Sequence, residues 1–306
     1  MSAMALSQYT TFQLGGPCRS LFDCATPAEL AAAVVGLAEQ GESFVLMGGG
    51  SNVLVSDEGT PAAVVRYQSD TLLVERRDDL VVVSGSTGLD ELVRFAIGEG
   101  MAGLEFLSGI PGTVGGAIAG NAGAWGRQIG EVLESATLLN RRGDRREAAP
   151  SELGFAYRSS CLQVSGDIVL SAAFRLSSGR SESLAQERTD ILRKRAERHP
   201  DLDETPCAGS FFRNIEPTSK AERRQAAGWF LEQAGAKDMV VGGARVFDRH
   251  ANIIVKGPGC TAQDVRDLAV QMASAVWDRF GLRLQREARF LGSFRGEEGA
   301  PPDKFY

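Results

Sequence analysis

A glycine-dense stretch, GIPGTVGGAIAGNAGAWG at residues 109–126, constrains this chain more than any other feature. Seven of its eighteen residues are glycine, and most of the others are small. Because glycine has no side chain, such a stretch lets the backbone turn tightly or lie directly against another group. A second glycine segment, GGGSN at residues 48–52, follows the apolar run SFVLM. Each segment is able to present several main-chain amides to an anion, so we predict a ligand cradle.

Neither glycine segment matches a familiar nucleotide-binding loop. The chain contains no G-x-x-x-x-G-K-[ST] sequence, which excludes a P-loop. Val53 stands where the dinucleotide-binding pattern G-x-G-x-x-G requires its third glycine, and a strand rather than a helix is predicted to follow. A Rossmann site is therefore disfavoured.

The composition is that of an ordered globular protein with an acidic balance. Of 306 residues, 43% are hydrophobic and 24% are charged, and the formal net charge of -6 disfavours an electrostatic nucleic-acid binder. Five scattered cysteines without a C-x-x-C pair favour a reducing compartment, and we predict no metal site. We expect a cytoplasmic protein without membrane insertion, because we find neither a signal-peptide pattern nor a long apolar run.

Periodicity and capping signals predict a mixture of helices and strands. The glycine stretch itself is expected to be a connection with few regular elements. Helices are predicted at residues 26–41, 88–100, 183–200, 221–234 and 261–280. Strands are predicted over SFVLM, VLV, AAVVR, TLLVERR, DLVVVSG, the hairpin ESATLLNRRGDRREA, GDIVLSAAFRL, ARVF, NIIV and LRLQREARFL.

Seven motifs, taken in order, resemble the UDP-N-acetylenolpyruvoylglucosamine reductase family. They are TTFQLGG, GGGSNVLV, GLEFLSGIPGTVGGAIAGNAGAWG, FAYRSS, AGSFFRN, GGARVFDRHANIIV and LQREARFLG, within residues 9–292. The resemblance implies an α+β protein: an FAD-binding fold of the vanillyl-alcohol-oxidase/p-cresol methylhydroxylase type with a C-terminal α+β substrate-binding domain. We divide the chain into FAD-binding subdomains at 1–70 and 71–180, a bridging helix at 181–200, a substrate-binding domain at 201–295 and a tail at 296–306.

The resemblance also implies a reaction. In such enzymes NADPH reduces non-covalently bound FAD and departs, and the enolpyruvyl substrate takes its place. Hydride passes to C3 of that substrate, and a proton must then reach C2. The implied activity is NADPH-dependent reduction of UDP-N-acetylglucosamine enolpyruvate to UDP-N-acetylmuramate, in peptidoglycan precursor synthesis. The implied partners are small molecules and no nucleic acid, and the oligomeric state is left open.

Three residues match the catalytic positions of the family. Arg158 would hold the substrate carboxylate, Ser210 would donate the proton to C2, and Glu287 in its protonated form would polarise the carboxylate of the intermediate. Arg213, where lysine is frequent, and Asn214 match substrate positions. The residues implied to contact FAD lie in the two glycine segments: Gly48, Gly49, Gly50, Ser51, Asn52, Gly109, Pro111, Gly112, Thr113, Gly115, Gly116, Asn121, Ala122 and Gly123.

Several positions depart from the family pattern. Lys256 stands where asparagine is usual, Ile215 where proline is usual, and Trp125 where tyrosine is common. None of these changes removes a charge or a proton donor from the implied catalytic set. The segment at residues 159–166 is short, as in the branch of the family that lacks an additional substrate-clamping tyrosine loop.

Two alternatives stay open at this point. An FAD-dependent oxidase of the same fold would act on an alcohol or sugar and pass electrons to oxygen. Some of those oxidases attach flavin through histidine, but the only histidines here, His199 and His250, lie outside the N-terminal FAD region. A flavin-binding module without catalysis would require damage to the catalytic positions, which are all intact. His250 and Asn252 are expected only to shape the substrate domain.

Overall fold

The chain divides into two compact units. The computed structural model describes residues 4–217 and 223–296. The larger unit contains Arg19–Gly49 and Ala62–Arg195, and the smaller unit contains the described parts of Met1–Cys18, Gly50–Pro61 and Ala196–Asp303. The finer division into five segments stays a prediction.

Helices and strands alternate irregularly along the chain. The α-helices of the described residues are α1 (Pro27–Glu39), α2 (Leu89–Gly98), α3 (Val114–Ala119), α4 (Leu162–Ser165), α5 (Ser181–Ala196), α6 (Ala227–Gln233) and α7 (Ala262–Phe280). The strands are β1 (Cys18–Cys24), β2 (Phe44–Met47), β3 (Val53–Val55), β4 (Thr60–Tyr67), β5 (Val74–Arg77), β6 (Leu80–Ser84), β7 (Met101–Ala102), β8 (Gly123–Ala124), β9 (Arg127–Gln128), β10 (Leu133–Leu139), β11 (Arg145–Ala148), β12 (Ile168–Arg175), β13 (Ser177–Ser178), β14 (Cys207–Ser210), β15 (Val240–Val241), β16 (Ala244–Phe247), β17 (His250–Lys256) and β18 (Arg289–Leu291).

The larger unit is built on two sheets. A five-stranded sheet has the order β11-β10-β12-β6-β5, and a three-stranded sheet has the order β1-β4-β2. All the pairs in the five-stranded sheet are antiparallel, whereas β2 and β4 are parallel. The short pairs β13-β7 and β8-β9 complete this unit.

Helix α1 shows how local sequence sets an element in the larger unit. Thr26 and Glu29 form a capping box, and Pro27 occupies the first turn, where its missing N–H costs nothing. The apolar face buries Leu30 and Val34, which pack in the same core cluster as residues of β2 and β4. Gly41 follows the helix with a φ of 68°, as the sequence predicted.

The smaller unit has a four-stranded antiparallel sheet with the order β14-β17-β16-β15. Helix α7 begins with a capping box between Thr261 and Asp264. Its buried face includes Val265, Leu268 and Met272, which belong to one core cluster with residues of β16 and β17. Strands β3 and β18 form a separate parallel pair in this unit.

In the central chain one expectation is wrong, and another is confirmed with shifted ends. Residues 109–126 contain helix α3, which forms because the Thr113 hydroxyl accepts a hydrogen bond from the Gly116 N–H and caps the first turn. The helix predicted near Ser183 is confirmed as α5, which begins two residues earlier, at Ser181, and ends at Ala196, before Pro200. Helix ends carry weaker sequence signals than helix interiors, because they fray.

Two expectations about the C-terminal third are also wrong. The helix predicted at 221–234 is confined to α6, and residues 218–222 lie outside the described part. Gln225 exchanges two main-chain hydrogen bonds with Ile215, which holds it in an extended conformation. The long final strand shrinks to β18, because Gln285 and Glu287 make single main-chain bonds to residues 211–213 instead of continuing a ladder.

Candidate active site

A glycine-lined cavity lies in the larger unit. Gly48 follows β2, Gly85 follows β6, and Gly115 and Gly116 belong to the first turn of α3. Folding therefore brings part of both predicted glycine segments to one place. The sequence did not single out Gly85, although a glycine directly after a buried strand was the available signal. Other lining residues include Tyr67, Thr113, Ala119 and Val169.

The cavity is a small hollow, about 30 Å³ in volume, with bare backbone on one side. A Cβ at Gly48 would lie 2.5 Å from Thr113 Oγ1, and a Cβ at Gly85 would clash with the carbonyl of Val169. At Gly116 a Cβ would meet only the Thr113 hydroxyl within 4 Å, so a side chain there would stand in the cavity. Packing within the protein therefore accounts for glycine at 48 and 85, and Gly116 is the position where the missing side chain leaves backbone open to a ligand.

The amides of α3 are less available than the sequence suggested. The Gly115 N–H donates to the Gly85 carbonyl over 2.9 Å, and the Gly116 N–H donates to Thr113 Oγ1 over 3.3 Å. Contact between these positions and a cofactor would therefore depend on close approach more than on amide donation. Their assignment to FAD stays a prediction.

Asp90 fixes the start of the second glycine segment. Its carboxylate receives two hydrogen bonds from Arg188, at 2.6 and 2.7 Å, and one from the Gly109 N–H at 2.7 Å. Burial opposes the charged form, but the bonds from Arg188 and Gly109 and the charge of Arg94 outweigh it and lower the pKa of Asp90. Gly109 is thus tied to a half-buried ion pair.

Asn121 fixes the other end of the segment. Its side-chain nitrogen donates to Gln128 Oε1 at 2.7 Å and to the Ala156 carbonyl at 2.9 Å. Its side-chain oxygen accepts the Gly130 N–H at 3.3 Å. The Asn121 amide therefore shapes the loop that leads to Arg158, and its predicted contact with FAD stays a prediction.

Arg158 stands in a turn of the larger unit. Its φ of 54° lies in the left-handed region, which costs a residue with a Cβ about 1 kcal/mol. Its Nη1 donates to the carbonyl of Gly123 over 2.9 Å, and its guanidinium lies 5.5 Å from the centroid of the Tyr157 ring. The bond from Nη1 anchors the guanidinium to the glycine segment.

Ser210 ends strand β14 in the smaller unit, just after a bulge. Cys207 pairs with Val255 and Ser210 pairs with Ile253, so β14 contains one residue more than β17 between these pairs. Gly209 takes a φ of 71° within the bulge, a conformation that favours glycine. Bulges redirect the side chain that follows them, so the GS pair of AGSFF has a structural reason.

Glu287 lies beside the chain that follows Ser210. The Glu287 N–H donates to the Phe211 carbonyl at 2.8 Å, and the Arg213 N–H donates to the Gln285 carbonyl at 2.8 Å. The structure thus brings the segments of Ser210 and Glu287 together within the smaller unit. Arg158 belongs to the larger unit.

Asn52 also contacts the Glu287 segment. Its side-chain nitrogen donates to the Glu287 carbonyl at 3.1 Å, and its own carbonyl accepts the Arg289 N–H at 3.0 Å. The sequence assigned Asn52 to FAD and gave no signal for these bonds, the first of which joins residues 235 positions apart. Gly50 beside it has a φ of 61° and packs against the main chain of Tyr9.

Asn252 is the buried polar residue of strand β17. Its side chain exchanges two hydrogen bonds with the main chain of Phe212, at 2.8 and 2.9 Å. Its N–H donates to His250 Nδ1 at 3.2 Å. Burial lowers the pKa of His250, which favours its neutral form as a hydrogen-bond acceptor. The available sequence signal for this residue was a polar asparagine between the apolar residues Ala251 and Ile253.

The structure also shows the contacts of the predicted substrate residue Asn214 and of two residues that differ from the family pattern, Lys256 and Trp125. The side-chain oxygen of Asn214 accepts the Ala227 N–H at 3.2 Å, at the start of α6. Lys256 Nζ donates to the Gln13 carbonyl at 2.9 Å. Trp125 is half-exposed, at the tip of the β8–β9 hairpin, with a φ of 56°. The substrate roles of Arg213 and Asn214 stay predictions.

Comparison with known proteins places the chain in a family. Residues 19–149 match a model described as "FAD binding domain", and residues 200–291 match "UDP-N-acetylenolpyruvoylglucosamine reductase, C-terminal domain". A UDP-N-acetylenolpyruvoylglucosamine reductase from Solibacter usitatus is 35% identical over 302 residues, covering 94% of this chain and 95% of that protein. The chain belongs to the UDP-N-acetylenolpyruvoylglucosamine reductase family.

Other members of the reductase family agree with this assignment. The reductase from Gloeobacter violaceus is 37% identical over 292 residues, covering 94% of this chain and 95% of that protein. The solved UDP-N-acetylenolpyruvylglucosamine reductase from Thermus caldophilus superposes with a TM-score of 0.77 at 30% identity, covering 95% of this chain and 98% of that one.

The family assignment confirms the resemblance, the α+β fold class with its FAD-binding domain, and FAD as the cofactor. The chain is an FAD-dependent oxidoreductase of the reductase family. No helix in residues 4–217 or 223–296 has the length and apolarity needed to cross a membrane. In the same described part, no cluster of three His, Cys, Asp or Glu residues is arranged to hold a metal ion.

Proposed function

We propose that this chain reduces UDP-N-acetylglucosamine enolpyruvate to UDP-N-acetylmuramate with NADPH, as a step of peptidoglycan precursor synthesis. Family membership over nearly the whole chain supports the reaction class. The observation that carries the residue assignment is the bond from the Glu287 N–H to the Phe211 carbonyl. It joins the segments of two side chains, Ser210 and Glu287, that the reaction needs on the same substrate.

Hydride transfer from NADPH to the enolpyruvyl C3 is the chemistry that bound FAD supplies. Gly48, Gly49, Thr113 and Gly116 are the residues best suited to hold it, because three of them line the glycine cavity and Gly49 directly follows Gly48. Bare backbone at the three glycines leaves room for the pyrophosphate without a clash with a side chain at those positions. FAD is expected to be held without a covalent bond.

Arg158 would hold the substrate carboxylate. Its guanidinium is always protonated and offers a planar pair of donors to a carboxylate. Negative charge spreads into that carboxylate once hydride has reached C3, so the contact strengthens as the reaction proceeds. The bond from Nη1 to the Gly123 carbonyl keeps one side of the guanidinium fixed.

Ser210 would deliver the proton to C2, and Glu287 would stabilise the intermediate. A serine hydroxyl is a weak acid in water, but a carbanion is a strong base, so this transfer is feasible. Glu287 would act in its protonated form, as a hydrogen-bond donor to the substrate carboxylate. Arg213 and Asn214 would contact the sugar nucleotide, with the Arg213 guanidinium suited to a diphosphate.

We place the protein in the cytoplasm, acting on small molecules. All five cysteines are free, and four of them are buried, which suits a reducing compartment. The substrate and NADPH are both soluble nucleotides, so no nucleic-acid partner is required.

The function is tested by following the flavin absorbance without oxygen. The purified protein should be yellow, NADPH should bleach it, and UDP-N-acetylglucosamine enolpyruvate should restore the colour with formation of UDP-N-acetylmuramate. Acid precipitation should release the flavin. Reduced flavin that persists in excess substrate would contradict the proposal. Rapid peroxide formation with an alcohol or sugar would favour the oxidase alternative.

A further inference from the structure

We propose that Asn252 is a positioning residue that sets the placement of Ser210 relative to Glu287. The inference rests on the proposed function, because it concerns the two groups assigned to proton delivery and stabilisation. Asn252 is itself 3% exposed, so it acts through the main chain of its neighbours.

The first step is the pair of hydrogen bonds between the Asn252 side chain and the Phe212 main chain. Asn252 Nδ2 donates to the Phe212 carbonyl at 2.8 Å, and Asn252 Oδ1 accepts the Phe212 N–H at 2.9 Å. A side-chain amide has the same donor and acceptor as a peptide group. Asn252 therefore replaces a strand neighbour for Phe212 just beyond Ser210, the last residue of β14.

The second step connects this contact to Glu287. The Asn252 carbonyl accepts the Phe211 N–H at 2.8 Å, and the Phe211 carbonyl accepts the Glu287 N–H at 2.8 Å. The Phe211 peptide groups therefore lie between Asn252 and Glu287. The Glu287 carbonyl in turn accepts a hydrogen bond from Asn52 Nδ2 at 3.1 Å.

The third step is that packing alone does not explain an amide here. Ala251, Ile253 and Ile254 on the same strand are buried and apolar. A leucine at 252 would avoid the cost of burying an amide, but it would leave both main-chain groups of the buried Phe212 without these bonds. The amide keeps the chain after Ser210 in one conformation.

The test uses full-length, FAD-loaded protein and measures the two half-reactions separately by anaerobic stopped flow. In Asn252→Leu we expect reoxidation by UDP-N-acetylglucosamine enolpyruvate to slow by roughly 10- to 100-fold, because small misplacements of catalytic groups have effects of this size. Flavin reduction by NADPH should stay within about 2-fold of wild type, since it needs no proton from Ser210. Asn252→Asp keeps the acceptor atom for the Phe212 N–H and loses the donor, so its reoxidation rate should fall between those of wild type and Asn252→Leu. It serves as the test if the leucine variant does not fold.

A matched control separates positioning from loss of stability. Met272→Ala removes a fully buried side chain from the core of the same unit and touches none of these bonds. Reoxidation by the Asn252 variants should show a larger solvent deuterium isotope effect than wild type, because proton delivery becomes slower; Met272→Ala should not.

Three results would overturn the positioning role. They are reoxidation by the Asn252 variants within about 2-fold of wild type, an unchanged isotope effect, or equal slowing in Met272→Ala. Failure of the proposed function would look different, because wild-type reduced flavin would then not be reoxidised by the UDP-sugar at all.

Discussion

The two regions that carry the proposed catalytic side chains hold them by different means. In the larger unit, Arg158 stands in a left-handed turn, and side-chain bonds from Asn121 and Asp90 shape the neighbouring glycine segment. In the smaller unit, main-chain bonds through Phe211 join the segments of Ser210 and Glu287, and the side chains of Asn252 and Asn52 bond only to the main chain of those segments.

This difference indicates which substitutions should change the reaction rate and which should change the stability of the fold. A residue placed by main-chain bonds loses only its own side chain on mutation, because the backbone bonds remain. A loop shaped by side-chain bonds depends on each of those side chains, since removing one leaves a buried partner without its bond. Effects on chemistry should dominate in the smaller unit, and effects on stability should appear at the anchors of the larger unit.

The largest effect is expected for Ser210→Ala. Reoxidation of reduced flavin by the UDP-sugar should slow by about 10²- to 10⁴-fold, as for loss of a general acid. Flavin reduction by NADPH and the unfolding temperature should be nearly unchanged, because the main-chain bonds around Ser210 persist. Rapid-mixing absorbance measures both half-reactions. Equal reoxidation rates in variant and wild type would remove Ser210 from the mechanism.

A smaller effect is expected for Arg158→Lys. Both side chains carry a Cβ and a positive charge, so the left-handed backbone and the charge are kept while the planar pair of donors is lost. The kcat/KM for the UDP-sugar should fall by roughly 10- to 100-fold, equivalent to about 1.4 to 2.8 kcal/mol. Steady-state kinetics measure this fall, and Arg193→Lys on the exposed face of α5 is the control. Similar kinetics for both variants would argue against the carboxylate role.

The smallest effect is expected for Asp90→Asn, which weakens an anchor of the glycine segment. At neutral pH the free energy of unfolding should drop by about 1 to 3 kcal/mol, because charge-assisted bonds to Arg188 are lost. The native pKa of Asp90 is lowered, so its contribution is complete above the ordinary pKa of about 3.9 and is lost as pH falls through the native pKa. The difference in the free energy of unfolding between wild type and variant should therefore become smaller below about pH 4, as measured by denaturant titrations.

The control for that prediction is the exposed pair of Asp190 and Arg193. Asp190→Asn should change the free energy of unfolding by less than about 1 kcal/mol, because surface ion pairs contribute little. A gap for Asp90→Asn that stays constant down to acid pH would mean that its carboxylate does not contribute through its charge.

Sequence prediction succeeded where the signal was local. The capping box of α1, the hairpin of β10 and β11, and most of α7 were placed correctly, because caps, turns and apolar periodicity act within a few residues. It failed for the segment before β18, where single bonds to residues 211–213 replaced a strand ladder. It also missed α3, whose glycine-rich sequence has low helix propensity and depends on the Thr113 cap.

The sequence by itself determined the family, the cofactor class and the positions of the candidate catalytic residues. These rest on ordered motifs that can be read without knowing the fold. Only the tertiary structure decided that Asn52 and Asn252 hold the chain around Glu287 and Ser210. The physical reason is that a hydrogen bond between residues far apart in sequence leaves no periodic or local trace, and an asparagine looks the same whether it contacts a ligand or the main chain of its own fold.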